Sequence, residues 1–344
     1  MVKDSSLSTK VRPVFDGSAK NSEFVSLNEC LETGPCLLPD LISVLLRFRQ
    51  WLIGITADIT KAFLQVGVRR SDRDVLRFLM RLDDSSDVQH YRFRRVPFGL
   101  CCSPFLLNAT IRTHLQKDGS ATALKALRDL YVDDLVSGVD TVEEAERYVR
   151  SSQSIFQKAG MNLGKWRTTS DLFSKVEGDQ TVEMSKNLNV LTLSDAKVLG
   201  LTWCQDTDEL SLHWTESAPV VMNTKRRILK IVAQIFDPIG FVAPFVVVLK
   251  ILFQRLWVLS LDWDDLVPDD IEREASRWFQ DFLRLKIQVP RKYFYTGLLE
   301  LAVSGRLQIH VFSDASLKAY GSVVFFSCSL SRWVGEIKFC HGQA

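Results

Sequence analysis

Tyr131-Val132-Asp133-Asp134-Leu135-Val136 sets two adjacent carboxylates between strand-forming residues. Like charges at a tight turn resist ionising together unless a cation neutralises them. The hexapeptide therefore predicts the tip of a β-hairpin that holds metal. Working upstream, residues 51–60 form a short run crowded by Leu52, Ile53, Ile55 and Ile59, which predicts a buried strand. Asp58 lies near the end of that strand, 75 residues before Asp133.

Between them, residues 75–82 and 91–96 predict a strand pair around the polar turn Asp83-Asp84-Ser85-Ser86-Asp87. Residues 104–115 predict a helix, with Ser103 as N-cap and Pro104 at the first helical position. Residues 124–130 predict another. After the hairpin, residues 142–159 predict a helix with Thr141 as cap, Gly160 beyond its end, and Glu143 and Glu144 in the first turn, where the helix dipole favours acids. The alternation β-α-β-β-α-β over roughly 50–200 predicts a split βαβ, ferredoxin-like sheet with carboxylates at its strand ends.

Flanking segments complete an α+β layout. Residues 11–17 predict a short strand, and residues 37–48 a helix presenting Leu41, Val44, Leu45 and Phe48 on one face. Residues 198–203 predict a strand. Residues 217–290 read as helices interrupted at Asp237-Pro238 and Ala243-Pro244, and residues 306–326 as strand with a bulge or turn at Gly321.

Composition narrows the class. At 344 residues, two or three domains are expected, and 46% hydrophobic with 24% charged residues excludes a disordered chain. The net charge of +2 hides blocks. Residues 41–100 carry eleven Arg or Lys against six Asp or Glu, residues 221–260 six against one, and residues 261–280 two against seven. Basic blocks on a near-neutral chain suit a nucleic-acid groove. Seven Cys without a CxxC pair point to reduced thiols in a cytosolic or nuclear setting. The start Met1-Val2-Lys3-Asp4-Ser5 has no apolar signal core. The most apolar stretch, residues 238–249, falls short of the about 20 residues a membrane helix needs, so no membrane partner is expected.

Three carboxylates at strand ends suit nucleotidyl transfer. That reaction needs charge neutralised on the attacking 3′ oxygen, the α-phosphate and the departing pyrophosphate, which two divalent cations anchored by carboxylates can do. Mg²⁺ takes oxygen ligands and keeps some waters and substrate phosphates, so a few Asp residues on adjacent strands suffice.

The motifs around these residues resemble a known family. Tyr131-Val132-Asp133-Asp134 resembles the YxDD box of reverse transcriptases. Ala57-Asp58-Ile59-Thr60-Lys61-Ala62-Phe63 resembles the family's first catalytic motif, and Val96-Pro97-Phe98-Gly99-Leu100-Cys101-Cys102-Ser103-Pro104 its second, in which a Gly and a Ser-Pro flank the nucleotide. The resemblance implies a right-hand polymerase in which Asp58, Asp133 and Asp134, with the backbone of Ile59, hold two Mg²⁺ ions, Mn²⁺ being a substitute. It implies a nucleotide pocket of Ile59, Phe98, Gly99 and Tyr131, with Phe63 as the steric gate against a ribose 2′-hydroxyl. Arg12 looks like the fingers arginine that meets the triphosphate, a task for a planar, permanently charged group. Lys165, in Gly164-Lys165-Trp166, resembles the lysine that protonates the leaving pyrophosphate. Gly200 and Trp203, in Leu199-Gly200-Leu201-Thr202-Trp203, resemble the primer-grip hairpin.

Ile309-His310-Val311-Phe312-Ser313-Asp314-Ala315-Ser316 resembles the first strand of an RNase H-like domain, with Asp314 as a vestigial metal carboxylate. No RNase H activity is expected, because the surroundings of Glu336 do not resemble the second acidic motif. The strings Phe15-Asp16-Gly17-Ser18-Ala19-Lys20, Ser26-Leu27-Asn28 and Ile235-Phe236-Asp237-Pro238-Ile239-Gly240 look most like the Bel–Pao class of LTR retrotransposon polyproteins.

The implied layout is fingers and palm over 1–205, a mostly helical thumb and connection over 206–300, and a truncated start of an RNase H-like domain over 301–344. The implied function is RNA-directed DNA polymerisation on an RNA or DNA template with primer and deoxynucleoside triphosphates. The implied location is a cytoplasmic retroelement particle or the nucleus; the oligomeric state stays open. A second reading is a remnant that binds nucleic acid without polymerising. A third, another palm-fold enzyme such as a nucleotide cyclase, has no use for the Phe-Gly and Ser-Pro motif.

Overall fold

The computed structural model describes residues 14–81, 87–169, 195–212, 221–294 and 298–328, the stretch 298–300 as backbone only. The chain divides into two compact units. One gathers residues 1–40, 56–137 and 143–166, the other residues 41–55, 138–142 and 167–344.

In chain order the first strands are β1 (Ile53–Ile59), β2 (Arg77–Met80), β3 (Gln89–Arg92), β4 (Leu130–Tyr131), β5 (Asp134–Val139) and β6 (Leu163–Thr168). Four of them make the central sheet, ordered β4-β5-β1-β6. Taking those four in sequence as first to fourth, the order is second, third, first, fourth, which is the split βαβ arrangement the motif spacing predicts. β1 is buried along its length except at Asp58, as a central strand covered on both faces should be.

Within the first unit, β2 and β3 form an antiparallel ribbon, pairing Arg77 with Arg92 and Met80 with Gln89. The one-turn helix α1 (Leu27–Cys30) carries a capping box between Ser26 and Glu29. Helices α3 (Ser103–Asp118), α4 (Ala121–Asp129) and α5 (Val142–Lys158) supply the rest of this unit's core. α3 buries Leu107, Ile111 and Leu115 at helical spacing and stops at Gly119, whose φ of 68° suits a left-handed cap. α5 buries Ala145, Tyr148, Val149, Ser152, Ile155 and Phe156, with Glu143 and Glu144 in its first turn. Each fully buried aliphatic side chain contributes roughly 1.5–3 kcal/mol. Ser103 is not the cap of α3. It lies inside the helix after Cys102, and its hydroxyl donates to the carbonyl of Pro97 at 2.7 Å, so it secures the preceding loop instead.

The second unit contains α2 (Leu41–Gln50) and a sheet of β7 (Ala196–Val198), β8 (Leu201–Cys204), β9 (Glu209–Leu212) and β10 (Gln288–Pro290), ordered β10-β9-β8-β7. The single strand expected over 198–203 is broken by Leu199 and Gly200. Both have positive φ, 47° and 91°, and they turn β7 into β8 as a two-residue hairpin. Helices α6 (Lys225–Gln234), α7 (Ala243–Val258) and α8 (Asp269–Arg284) pack around Ile228, Ile231, Leu249, Leu256, Ala275 and Phe279. Pro244 opens α7 rather than interrupting a helix, because a first-turn proline forfeits no intrahelical bond. After α9 (Leu298–Val303), strands β11 (Leu307–Ala315) and β12 (Tyr320–Cys328) form a hairpin. Its turn precedes Gly321, which pairs with Asp314 inside the ladder. Among the described residues, no helix is long and apolar enough to cross a membrane.

Candidate active site

The first unit brings the three motif carboxylates together. β4 and β5 pair Tyr131 with Asp134, leaving Val132 and Asp133 as the hairpin turn. Val132 has φ of 58°, a left-handed conformation that a β-branched residue adopts only under strain. The strain is held by a bond to the neighbouring strand, in which the Ile59 amide donates to the Asp133 carbonyl at 2.8 Å. That contact sets the hairpin tip beside the residue that follows Asp58.

The electrostatics follow from this crowding. Burial, then the charges of Asp133 and Asp58, push the Asp134 carboxyl up to about 7, while Lys165 acts in the opposite direction. Lys165 Nζ donates to Asp58 Oδ2 at 2.8 Å. Lys165 has φ of 52°, and a side chain at Gly164 would press on Thr60 Oγ1 at 3.1 Å, so the strand is shaped to bring this ammonium to Asp58.

Among the described residues, no group of three or more His, Cys, Asp or Glu side chains is drawn together tightly enough to hold a metal ion. The charge coupling of Asp134 to both other carboxylates nevertheless puts all three in one electrostatic neighbourhood. Asp58 in this arrangement is paired with the Lys165 ammonium. The donor set, carboxylate oxygens alone, suits a hard cation such as Mg²⁺.

The nucleotide-pocket residues occupy the same unit. Phe63, in a 3₁₀ turn over Ala62–Gln65, is 9% exposed, and its ring centroid lies 4.8 Å from that of Phe98. Ile59 is buried, and its amide is taken by the Asp133 carbonyl. Tyr131 is half-buried. Gly99 has φ of 104°, and a Cβ there would come within 1.7 Å of the Phe15 carbonyl, which is why no other residue fits. Arg12 lies outside the described residues.

Within the second unit, Gly200 is exposed at its turn, with the Phe236 ring where a Cβ would be. Trp203 is fully buried and donates from Nε1 to Asp208 Oδ1 at 3.0 Å, so its ring is a packing element that offers no surface to a primer. Asp314 is exposed on β11.

Two contributors escape sequence reasoning. Asn28 accepts from the Cys101 amide at 2.9 Å and donates to the Gly99 carbonyl at 3.1 Å, so it shapes the Phe98-Gly99 loop from 71 residues away. Its sequence signal is the string Ser26-Leu27-Asn28, which marks the Bel–Pao resemblance and gives the side chain no role. Asp129, 1% exposed, accepts from the Ser137 hydroxyl at 2.6 Å and ties the base of the β4–β5 hairpin. Its signal is an acid immediately before a strand, which has many innocent explanations.

A four-stranded sheet in this order, with acids at the ends of its two middle strands, has the layout expected for the palm of a right-hand polymerase. Residues 3–200 match the family described as reverse transcriptase (RNA-dependent DNA polymerase). That match spans more than half of the chain, and the chain belongs to the reverse transcriptase family. Residues 224–342 match the family described as Pao retrotransposon-like RNaseH-like domain, in agreement with the Bel–Pao resemblance. This second match begins well upstream of residue 301. Among solved structures, the foamy viral protease-reverse transcriptase dRH in complex with double-stranded DNA is 15% identical with a TM-score of 0.56, over 88% of this chain and 45% of that one. The foamy viral protease-reverse transcriptase with double-stranded DNA is 14% identical with a TM-score of 0.55, over 92% and 57%. The complex with an RNA/DNA hybrid is 14% identical with a TM-score of 0.51, over 89% and 35%. The chain thus spans between about a third and somewhat over half of those proteins, and at such identities the likeness is one of fold. No curated protein matches the chain.

Proposed function

We propose that the chain is the RNA-directed DNA polymerase of a Pao-type retrotransposon, extending a primer on an RNA or DNA template with deoxynucleotides. The observation that carries this reading is the 2.8 Å bond from the Ile59 amide to the Asp133 carbonyl, which sets the Asp133-Asp134 turn beside the strand end that carries Asp58. Membership of the reverse transcriptase family and the fold of proteins solved with double-stranded DNA and RNA/DNA hybrid support it.

Asp58, Asp133 and the Ile59 carbonyl would hold two Mg²⁺ ions, with Asp134 supporting the site. Bound there, the ions supply neutralisation of the charge that develops between the primer 3′ oxygen, the α-phosphate and the pyrophosphate. The chain's own part is to position. The Ile59–Asp133 backbone bond holds the hairpin tip, Gly99 lets the loop backbone approach closely, and Phe63, backed by Phe98, presents a fixed ring where a 2′-hydroxyl would fall. Lys165 would give a proton to the departing pyrophosphate, and Arg12, from its resemblance to the fingers arginine, would meet the triphosphate. The hairpin at Gly200 is the candidate primer grip. We assign 1–205 to fingers and palm, 206–300 to thumb and connection, and 301–344 to the start of the RNase H-like part.

A second reading, nucleic-acid binding without polymerisation, draws on the pairing of Asp58 with Lys165. One assay separates the two. The protein should extend a DNA primer on an RNA template in Mg²⁺, and Asp133→Asn should abolish extension while leaving primer-template binding intact. Binding without extension by the wild type establishes the second reading.

A further inference from the structure

Arg291 lies at the end of the second unit's sheet, far in sequence from every catalytic motif, and is completely buried. A buried guanidinium is costly unless each donor is matched. Here each nitrogen is used. Nε and Nη2 donate to the two Asp208 oxygens at 2.6 and 2.8 Å. Nη1 donates to the carbonyls of Phe48 and Trp51 at 2.7 and 2.9 Å, and Nη2 also to that of Leu52 at 3.0 Å. Helix α2 ends at Gln50, so the Phe48 carbonyl lies in its last turn, where helical partners run out, and those of Trp51 and Leu52 lie just beyond it. Arg291 caps that end.

The same group fixes the β8–β9 turn. Asp208, at φ of 55°, accepts from Trp203 as well, and its carbonyl takes the Arg291 amide at 2.8 Å. Gly54, the second residue of β1, completes the arrangement. A Cβ there would stand 2.9 Å from Arg291 Nε, 3.0 Å from the Phe48 ring and 3.1 Å from the Trp203 ring. The start of the strand that carries Asp58 is therefore packed against the arginine, with no room at Gly54 for a methyl group.

We infer that Arg291 is a positioning residue for the polymerase reaction, locking the β7-β8-β9 hairpins to the start of the strand that carries Asp58. The inference rests on the polymerase reading. It also means that the segment matching the Pao RNaseH-like family donates a core group to the segment matching the reverse transcriptase family. A planar fork of five donors suits this task, and a lysine ammonium cannot reproduce it.

The test is primer extension by the full chain as wild type, Arg291→Lys, Arg291→Met and Gly54→Ala, with kcat, KM for the deoxynucleotide, primer-template Kd and melting midpoint measured for each. Arg291→Met should lower kcat per folded molecule by roughly tenfold or more at an unchanged primer-template Kd. Arg291→Lys should recover part of that loss. Gly54→Ala keeps every charge and should lower kcat in the same manner. Wild-type kcat per folded molecule in Arg291→Met and Gly54→Ala overturns the inference, and if Arg291→Met does not fold, Gly54→Ala decides alone. A wild type that binds primer-template and does not extend it defeats the polymerase reading and this inference together, whereas active variants beside an active wild type defeat the inference only.

Discussion

Lys165 Nζ sits 2.8 Å from Asp58 Oδ2, so the carboxylate proposed to hold a cation already holds one from the protein itself. A divalent ion arriving at Asp58 must displace that ammonium. Lys165→Met should therefore tighten binding of Mn²⁺ to the nucleic-acid-free protein by roughly two- to fivefold, the worth of an ion pair this exposed. Titration followed by the free-ion EPR signal reads it directly. Weaker binding in the variant would mean that Lys165 assists the ion.

The Asp134 carboxyl gives the metal-free protein a pH signature. Burial and the neighbouring carboxylates raise its pKa from the ordinary 3.8 to about 7, so between those values the folded state binds more protons than the unfolded state. Its contribution to stability is full below pH 3.8 and is lost as pH rises through about 7. In EDTA, the unfolding free energy from urea denaturation should fall between pH 5 and 8 by more in the wild type than in Asp134→Asn, a difference on the order of a few kcal/mol or less after solvent screening. Parallel curves for the two proteins would remove Asp134 as the source.

Gly99 is a steric requirement. Its φ of 104° and the 1.7 Å approach of an added Cβ to the Phe15 carbonyl leave no cheap accommodation. Gly99→Ala should cost about 3 kcal/mol or more in urea denaturation, or displace the loop. An unchanged midpoint with unchanged nucleotide KM contradicts the loop geometry.

Phe63 tests the proposed gate. Replacing it with Val keeps an apolar side chain and removes the ring that Phe98 braces. Incorporation of ribonucleotides relative to deoxynucleotides should rise roughly tenfold or more, on the scale of a steric pocket contact. A ratio of kcat/KM values that stays at the wild-type level shows the ring to be packing alone.

Ser137→Ala removes the hydroxyl that donates to buried Asp129. It should destabilise the protein by roughly 1–3 kcal/mol, and Asp129→Asn, which still accepts a bond, by less. The comparison of their thermal midpoints checks whether this contact secures the hairpin base.

Much of the palm was legible because its signals are local. The apolar run of β1, the acids opening α5 and the paired Asp133-Asp134 each lie in a few consecutive residues. The split sheet followed from their order. What escaped depends on partners far apart in the chain. Arg291 meets Asp208 across 83 residues and Phe48 across 243, and Asn28 meets Cys101 across 73. No periodicity marks such pairs. Turn geometry was the other blind spot. The residue pattern over 198–203 looked like one strand because Leu and Val surround Leu199-Gly200, while the resemblance to a primer-grip hairpin implied the reversal that the positive φ values show. Trp203 matched a motif whose name suggests contact with a primer, yet its ring is wholly interior.

The most direct test of the three-carboxylate site is the single-turnover rate of one deoxynucleotide addition in saturating Mg²⁺, compared among wild type, Asp58→Asn and Asp133→Asn at matched primer-template occupancy. Shared dependence on one pair of cations predicts losses of roughly a thousandfold or more for each variant, with the double variant little worse than either single. Addition by either variant within a few-fold of the wild-type rate would contradict it.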